Sequence, residues 1–454
     1  MTARLKFRRL ALLAGAAMAL ALPAQAATVA IVNARILNPG APEIASGTIL
    51  IRDGKIVSVG ANVTTPSDAQ LVDAKGGVVT PGLVLVNSGL GAVEMPMVGS
   101  DLRVRTTDLG AAFDVQYALN PDSTVIPVAR LGGITSAVVT PQAEGGQGGA
   151  GDHHDDSGSH DTAGGGTSDH APNLFAGQAA VIQLAKDREM LVKPKVAMVS
   201  PFGDAGAKVA GGARGANFVL LKEALGDVRA YLRNRAAYER AGYRDLALSR
   251  ADLEALIPVV EGRMPLIAVA NRASDIRAVL KLARDEKLTL ILTGAAEAWR
   301  VAPEIAAQGV PVILNPVLNR PTSLETLGST MENAARLEKA GVTVIIEGAG
   351  GAHRAHEMRY NAGIATANGM SRAGALAAIT INPALAFGVA DRLGSLAPGK
   401  DADLVLWTGD PFEPLSRPQL ILIRGEAQPL RSRQLDLRDR YLDLKRPMPP
   451  GYTY

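Results

Sequence analysis

The chain has 454 residues, of which 47% are hydrophobic and 20% charged, and it contains no cysteine. That apolar content is enough for one large domain or two ordinary ones, and it excludes disorder over most of the chain. The lack of cysteine excludes disulfides, thiolate metal sites and a cysteine nucleophile, and an aromatic content of 4% disfavours a stacking surface for single-stranded nucleic acid.

Residues 1–26 have the layout of a secretory signal peptide. Four basic residues come first: Arg4, Lys6, Arg8 and Arg9. An apolar run over 10–22 follows, and Ala24-Gln25-Ala26 fits a cleavage site, so we expect a periplasmic or secreted protein cut near Ala26. A twin-arginine signal and an uncleaved membrane anchor are the alternatives. Cleavage removes four positive charges and no acid, so a net charge of +3 becomes −1, which gives no electrostatic motive for nucleic-acid binding.

Residues 27–80 are predicted to form the first part of a β-sandwich, with strands over 28–37, 47–51 and 55–60. Asp53-Gly54 between the last two strands is typical of a tight hairpin turn. Residues 385–454 have similar character and include strand-like segments over 403–407 and 419–424. The two β-rich ends therefore predict one composite β domain built from both termini.

Residues 81–384 alternate short apolar runs with helical stretches, which is typical of βα units. Eight strands are predicted: 82–86, 135–140, 179–184, 196–200, 266–270, 288–292, 311–315 and 342–346. Eight strands suit a (β/α)8 TIM barrel, although the third and fourth runs also fit a hairpin. Helices are predicted over 275–287, 298–308, 324–340 and 371–379. The predicted fold class is therefore α/β, a distorted barrel plus the composite β-sandwich.

Residues 144–173 are dominated by Gly, Asp, Ser and His and lack the apolar surface to bury a core, so we expect a disordered loop. The segment contains four of the six histidines: His153, His154, His160 and His170. Weak metal scavenging and a simple soluble linker are both consistent with this composition.

Several motifs lie in the order of a known family. They are "GTILIRDGKIVSVG" at 47–60, "VVTPGLVLVN" at 78–87, "NAGIATANGM" at 361–370, "AITINPALAFGV" at 378–389 and "GSLAPGKDADLVLW" at 394–407. Together they resemble the metal-dependent amidohydrolase superfamily, in its imidazolonepropionase-like branch. The resemblance implies a distorted barrel with a composite sandwich, and hydrolysis of C–N bonds in cyclic amides, amidines or dipeptides by metal-activated water.

The resemblance also implies zinc or another divalent metal, but the expected ligands are absent from the sequence. The first barrel strand of the family ends in Asp-x-His-x-His, and here those positions are Leu85, Asn87 and Gly89. The other ligand positions align with Val269, Thr293-Gly294 and Ala349, and a bridging lysine has no clear counterpart. We therefore expect no tightly bound metal in the barrel.

Catalysis would then depend on a site formed by residues other than the family's usual ligands. Glu347 shares a strand face with position 349, so it is the candidate catalytic residue. His353 and His356 follow on the next loop and complete a set of ligand types that zinc accepts. The alternative is a solvated loop with a helix-capping acid.

Polar residues just after predicted strands are candidates for substrate binding. They are Asn87, Asn271, Arg272, Glu297 and Asn315, with Asn319 and Arg320 nearby. Arg272 and Glu297 are candidates for an ion pair across the site.

Two functions follow from these patterns. One is a hydrolase of C–N bonds that acts through a divergent site, and the other is a catalytically silent homologue that binds a small molecule or partner at the barrel mouth. Neither hypothesis involves nucleic acid, and neither needs a membrane span after processing.

Overall fold

The computed structural model describes residues 28–94, 101–104, 109–143, 173–318, 320–348 and 351–442. The predicted signal peptide, almost all of the histidine-rich segment 144–173, Asn319 and Ala349 lie outside the described residues. Within them, no helix combines the length and the apolar character that a membrane crossing requires.

The first sheet combines strands from both ends of the chain. Five come from the N-terminal part: β1 (Thr28–Ile36), β2 (Ile44–Arg52), β3 (Lys55–Gly60), β4 (Gln70–Asp73) and β5 (Val78–Pro81). The second sheet contains β6 (Leu83–Ser88), β7 (Ile134–Val139), β8 (Gly177–Gln183), β9 (Leu191–Pro201), β10 (Leu266–Ala270), β11 (Leu290–Gly294), β12 (Val312–Leu314) and β13 (Val344–Ile346). The remaining strands return to the first sheet: β14 (Leu404–Trp407), β15 (Pro418–Ile423) and β16 (Glu426–Ala427).

Most helices follow strands of the second sheet, whereas the last one follows the final strand of the first sheet. The helices are α1 (Ile126–Leu131), α2 (Gly203–Val209), α3 (Arg214–Glu239), α4 (Arg250–Val260), α5 (Ala273–Glu286), α6 (Ala302–Ala307), α7 (Asn333–Lys339), α8 (Met358–Ala367), α9 (Arg372–Ala378), α10 (Ile381–Ala386) and α11 (Arg433–Leu442). Short 3-10 turns occur at Val115–Ala118, Ala298–Val301, Leu324–Thr326 and Ala352–Glu357.

The prediction of a composite β domain is confirmed by strand pairing. The first sheet has the order β16-β15-β14-β5-β1-β2-β3, and β4 pairs with β1. The antiparallel pairing of β14 with β5, in which Trp407 lies opposite Val78, joins the two ends of the chain. The β2–β3 hairpin turns at Asp53 and Gly54, whose φ angles are 52° and 74°, as a tight two-residue turn requires.

The second sheet is the predicted distorted barrel, and all eight predicted strand runs form strands in it. Five strands, β9 to β13, pair in parallel, whereas β8 is antiparallel to both β7 and β9. The hairpin alternative is therefore confirmed for β8 and β9. The connection between these two strands is too short for a parallel pairing, because a parallel crossover needs about a dozen residues or more.

The last gap in the barrel wall lies between β6 and β13 and is bridged by the segment around α10. The Val84 N–H donates to the Ile379 carbonyl at 2.9 Å, and Asn382 Nδ2 donates to the Val344 carbonyl at 2.8 Å. Further along the same segment, Phe387 and Leu393 are buried within the barrel's interior cluster. Residues 379–393 thus seal the wall of the barrel and fill part of its interior.

Side-chain alternation along the barrel strands separates an apolar interior from a polar mouth. Ile267, Ile291, Ile313 and Ile345 are buried together in the interior. The residue two positions after each of them lies on the same face one step nearer the carboxyl end of the strand. Those residues are Val269, Thr293, Asn315 and Glu347, and all four line a cavity at that end of the barrel.

One predicted helix is wrong. Residues 324–340 were expected to form a continuous helix, but they form the 3-10 turn Leu324–Thr326 and, separately, α7. The interruption has a cause in tertiary structure: the Gly328 N–H donates to Glu297 Oε1 at 3.0 Å, and the Gly328 carbonyl accepts from Trp299 Nε1 at 2.8 Å. Both backbone groups are therefore engaged outside a helix.

Candidate functional site at the barrel mouth

A cavity of about 110 Å³ opens to solvent at the carboxyl ends of the barrel strands. This end of a (β/α)8 barrel is where functional groups are usually placed. Its polar lining includes Asn87, Thr140, Asn271, Thr293, Asn315 and Glu347. Three of the five predicted substrate-binding residues, Asn87, Asn271 and Asn315, are thus brought together with the predicted catalytic residue Glu347.

A hydrogen-bond network at the cavity floor is centred on Asn87. Asn87 Nδ2 donates to Glu347 Oε2 at 2.8 Å and to Thr293 Oγ1 at 3.2 Å. Thr140 Oγ1 donates to Asn87 Oδ1 at 3.3 Å. The network therefore links the ends of the first, second, sixth and eighth barrel strands through one amide.

The backbone of Asn87 accounts for its position. Leu83 and Leu85 face the helices, so strict alternation would turn residue 87 outward as well. Instead Asn87 has a φ of 55°, and the β6–β7 register shifts between Leu85 and Ser88. Asn is among the few non-glycine residues that tolerate this left-handed conformation. The bulge brings the amide into the cavity.

Glu347 is the one carboxylate among the described residues that line the cavity. Its backbone is held on both sides, because its N–H donates to the Leu314 carbonyl at 3.1 Å and its carbonyl accepts from Asn361 Nδ2 at 3.0 Å. Solvent reaches the side chain only in part. Burial raises the pKa of the Glu347 carboxyl, and the hydrogen bond from Asn87 opposes that shift. The surroundings therefore favour the neutral acid more than water does.

The position of the second family histidine is closed by packing. Gly89 lines the cavity, but a Cβ atom added to it would lie 2.7 Å from Leu102 Cδ1 and 3.3 Å from Val93 Cγ2. Leu102 is fully buried. A side chain at position 89 would thus require the backbone or Leu102 to move.

The donor set at the cavity does not fit a transition-metal centre. One carboxylate faces neutral amides and hydroxyls, which are poor transition-metal ligands. Across the described parts of the chain, no three His, Cys, Asp or Glu side chains converge as a metal site requires. Val269, Thr293 and Gly294, for which the sequence predicts the family's ligand positions, line the cavity and offer neither a carboxylate nor an imidazole.

His353 and His356 are placed away from the cavity. His353 is exposed. His356 packs on the flank of the barrel, where a Cβ atom added to Gly132 would lie 2.4 Å from its Cα. Burial lowers the pKa of His356, which favours the neutral imidazole. Neither histidine is among the residues that line the cavity with Glu347.

The predicted ion pair between Arg272 and Glu297 is not formed. Glu297 is buried and accepts hydrogen bonds from the backbone N–H groups of Ala273 and Gly328, both at 3.0 Å. Its charged partner is Arg300, at 3.8 Å. Arg272 Nη2 donates to the Leu324 carbonyl at 3.3 Å. Backbone N–H groups from two different loops thus hold the two carboxylate oxygens of Glu297, so this residue joins those loops at the barrel mouth.

Two residues with hydroxyl groups at the cavity floor, Thr140 and Thr293, were not predicted as site residues. Thr140 and Thr293 both follow apolar strand runs, and both contact Asn87 in the network. Their position at the carboxyl ends of predicted strands is the feature of the sequence that could have identified them as site residues.

Comparisons with known proteins agree with the fold. Residues 300–430 match the Amidohydrolase family. The crystal structure of an amidohydrolase from Thermotoga maritima MSB8 is similar to the chain at 26% identity with a TM-score of 0.75, over 89% of this chain and 100% of that one. The chain is therefore similar to the amidohydrolase superfamily in both sequence and fold.

Curated relatives are similar to the chain over shorter parts of their own length. Amidohydrolase tasK of Hapsidospora irregularis is 25% identical over 416 residues, which cover 84% of this chain and 40% of tasK. Urease subunit alpha 2 of Streptomyces coelicolor is 54% identical over 50 residues, which cover 11% of this chain and 9% of the subunit. The chain therefore spans less than half of either relative.

Proposed function

We propose that this protein is an exported member of the imidazolonepropionase-like branch whose barrel mouth binds a small, polar, amide-bearing molecule without a metal. The observation that carries the proposal is the Thr140–Asn87–Glu347 network, joined by Thr293, at the place where the superfamily expects metal ligands. The network places amide and hydroxyl groups around one acid, a set that exchanges hydrogen bonds with a ligand amide.

Glu347 is the recognition group in this proposal. A neutral carboxylic acid donates one hydrogen bond, whereas a carboxylate only accepts. Because burial raises the pKa of Glu347, the neutral form persists to higher pH than in an ordinary glutamate. We infer that the Glu347 hydroxyl donates to the carbonyl oxygen of the ligand, while Asn271 and Asn315 supply further amide contacts from the wall.

The test is calorimetric binding of hydantoin and N-acetylglycinamide in the presence and absence of chelator. We expect saturable binding that chelator leaves unchanged and that weakens as rising pH ionises Glu347. Glu347→Gln retains an amide donor, so it keeps binding but loses the pH dependence. Glu304→Gln, which alters a surface acid paired with Arg277, is the matched control and keeps both. Binding that chelator abolishes, or no binding of either probe, would overturn the proposal.

Hydrolysis of C–N bonds is the second candidate, and the similarity to the amidohydrolase superfamily together with the position of Glu347 at the end of the eighth barrel strand favours it. In this version Glu347 acts as the general base toward water. Hydrolysis of dipeptides, hydantoins and imidazolones is measured after chelation and after reconstitution with zinc or manganese. Turnover that Glu347→Gln eliminates would establish the enzyme. Turnover that chelator also abolishes would show a metal site that the present donor set does not supply.

Export is part of the same proposal and rests on the basic, apolar and small-residue segments of 1–26. Mass spectrometry of the protein isolated from its producing cells should find an N-terminus at Ala27. A protein that begins at Met1 and pellets with membranes would contradict export in cleaved form.

A further inference from the structure

Arg320 brings a positive charge to the rim of the cavity. Its side chain is exposed and lines the cavity together with Thr322 and Ser329. Among the described residues, no carboxylate lies within ion-pair distance of it. Two acids elsewhere on this side of the barrel, Glu297 and Glu325, are already engaged by other partners. The guanidinium is therefore available to a ligand.

The loop that carries Arg320 is fixed by its neighbours. Glu325 accepts from Arg214 Nη2 at 2.9 Å and from the Asp204 N–H at 2.6 Å. Thr326 Oγ1 accepts from the Thr322 N–H at 3.0 Å. Gly328 is held on both its N–H and its carbonyl by the contacts described above. A cation presented on a fixed loop loses little entropy when it binds an anion.

The remaining charges near the rim do not neutralise Arg320. Arg272 adds a second guanidinium, which donates to the Leu324 carbonyl of the same loop and forms no ion pair within the described chain. Glu347 is the carboxyl group on the cavity floor, and its surroundings favour the uncharged acid. The cavity thus has a cationic rim above a floor of neutral hydrogen-bonding groups.

We propose that the small molecule bound at the mouth carries a carboxylate in addition to its amide, and that Arg320 binds this carboxylate and sets the specificity of the site. The inference rests on the proposed function, because the amide is recognised at the floor. A guanidinium pairs with a carboxylate through two parallel hydrogen bonds, which gives geometric selectivity as well as attraction. The ligand class is accordingly a compact acylated amino acid or related amide acid.

Binding of N-acetylglycine and of its neutral analogue N-acetylglycinamide tests the proposal by calorimetry. We expect the wild type to prefer the carboxylate by about tenfold, as one charge-assisted contact provides. Arg320→Gln should remove the preference and leave binding of the neutral amide unchanged, whereas Arg320→Lys should keep part of it. Arg277→Gln, a surface arginine paired with Glu304, is the matched control and should keep the full preference.

The outcomes separate this inference from the proposed function. Equal binding of both probes in the wild type and in Arg320→Gln would overturn the carboxylate assignment and leave the amide-binding proposal standing. Displacement of N-acetylglycine by low millimolar inorganic phosphate would overturn it too, because it would show a general anion site. Failure of both probes to bind would overturn the carboxylate assignment, and failure of hydantoin to bind as well would overturn the proposed function.

Discussion

At the scale of single residues, the packing around Gly89 determines what the floor of the cavity accommodates. We expect Gly89→Ala to lower the free energy of unfolding by about 1–3 kcal/mol, because the new Cβ overpacks a filled site. The cause is the 2.7 Å approach to Leu102 Cδ1. Urea unfolding monitored by circular dichroism measures the change.

The matched control is Gly226→Ala. Gly226 lies within α3, and a Cβ atom added there would have no neighbour within 4 Å. Alanine is a better helix former than glycine by about 1 kcal/mol, so this variant should be slightly more stable. A neutral effect of Gly89→Ala would mean that Leu102 yields easily and that position 89 is open to larger side chains.

The direction of the Glu347 side chain could be predicted from the sequence, but its contact with Asn87 could not, and the difference has a physical reason. Periodicity along one strand places Glu347 on the interior face after Ile345, so its direction was predictable. The contact between Asn87 and Glu347 joins residues 260 positions apart and depends on a left-handed backbone at Asn87. Neither the tertiary contact nor the positive φ angle has a signal in local residue pattern.

At the scale of elements, a buried acid directly before β14 links the two sheets. Asp403 accepts from Gln183 Nε2 of β8 at 2.6 Å and from the Arg424 N–H after β15 at 2.8 Å. Burial raises the pKa of Asp403 to about 6, although both hydrogen bonds oppose the shift. The barrel and the first sheet therefore meet at a group that titrates in a mildly acidic range.

This acid makes stability depend on pH. The pKa of Asp403 is higher in the folded chain than the unfolded value of about 3.9, so its contribution is complete below pH 4 and is lost as the pH rises through about 6. The loss is on the order of 2–3 kcal/mol. Urea unfolding between pH 4.5 and 7.5 should show this decline in the wild type, and Asp403→Asn should remove it even if the variant is less stable throughout.

Asp401→Asn is the control with the opposite sign. Asp401 pairs with Lys55 and Arg392, and its pKa is lowered chiefly by the hydrogen bonds from those two side chains, which outweigh the effect of burial. Its own contribution is lost only as the pH falls below about 4. Asp401→Asn should therefore change the level of stability, and because the Asp401 charge also helps to raise the pKa of Asp403, it should reduce the slope between pH 4.5 and 7.5 without removing it. A slope that survives in Asp403→Asn would assign the titration to another group.

The sequence predicts the positions of the barrel strands better than it predicts how they pair or where a helix is interrupted. All eight barrel strands and the Asp53-Gly54 hairpin follow from local pattern, because apolar runs and turn residues act over a few positions. The sense of the β8 pairing did not follow from residue pattern alone, which fitted both a crossover and a hairpin. The break between Leu324–Thr326 and α7 depends on Glu297 and Trp299, which are distant in sequence from Gly328.

At the scale of the whole molecule, side chains pack and form hydrogen bonds across the junction between the two sheets. Trp407 of β14 is fully buried, and its Nε1 donates to Thr80 Oγ1 of β5 at 2.9 Å. A Cβ atom added to Gly133, just before β7, would lie 2.4 Å from the Trp407 ring. Arg130 Nη1 of α1 donates to Gln428 Oε1 after β16 at 2.8 Å. The C-terminal strands thus contribute to the packing of the barrel as well as to their own sheet.

This shared packing predicts that both sheets unfold in one transition. The chain has two tryptophans, so in Trp299→Phe the fluorescence reports on Trp407 at the junction, while circular dichroism at 222 nm reports mainly on the barrel helices. We expect the two urea midpoints of this variant to coincide, as they do when unfolding is all-or-none. Trp407→Phe should shift the midpoint measured by circular dichroism to lower urea, since it removes the Thr80 hydrogen bond and leaves a void against Gly133. A fluorescence transition that precedes the loss of helix in Trp299→Phe would instead show that the first sheet unfolds independently, and the junction would then contribute little to the barrel.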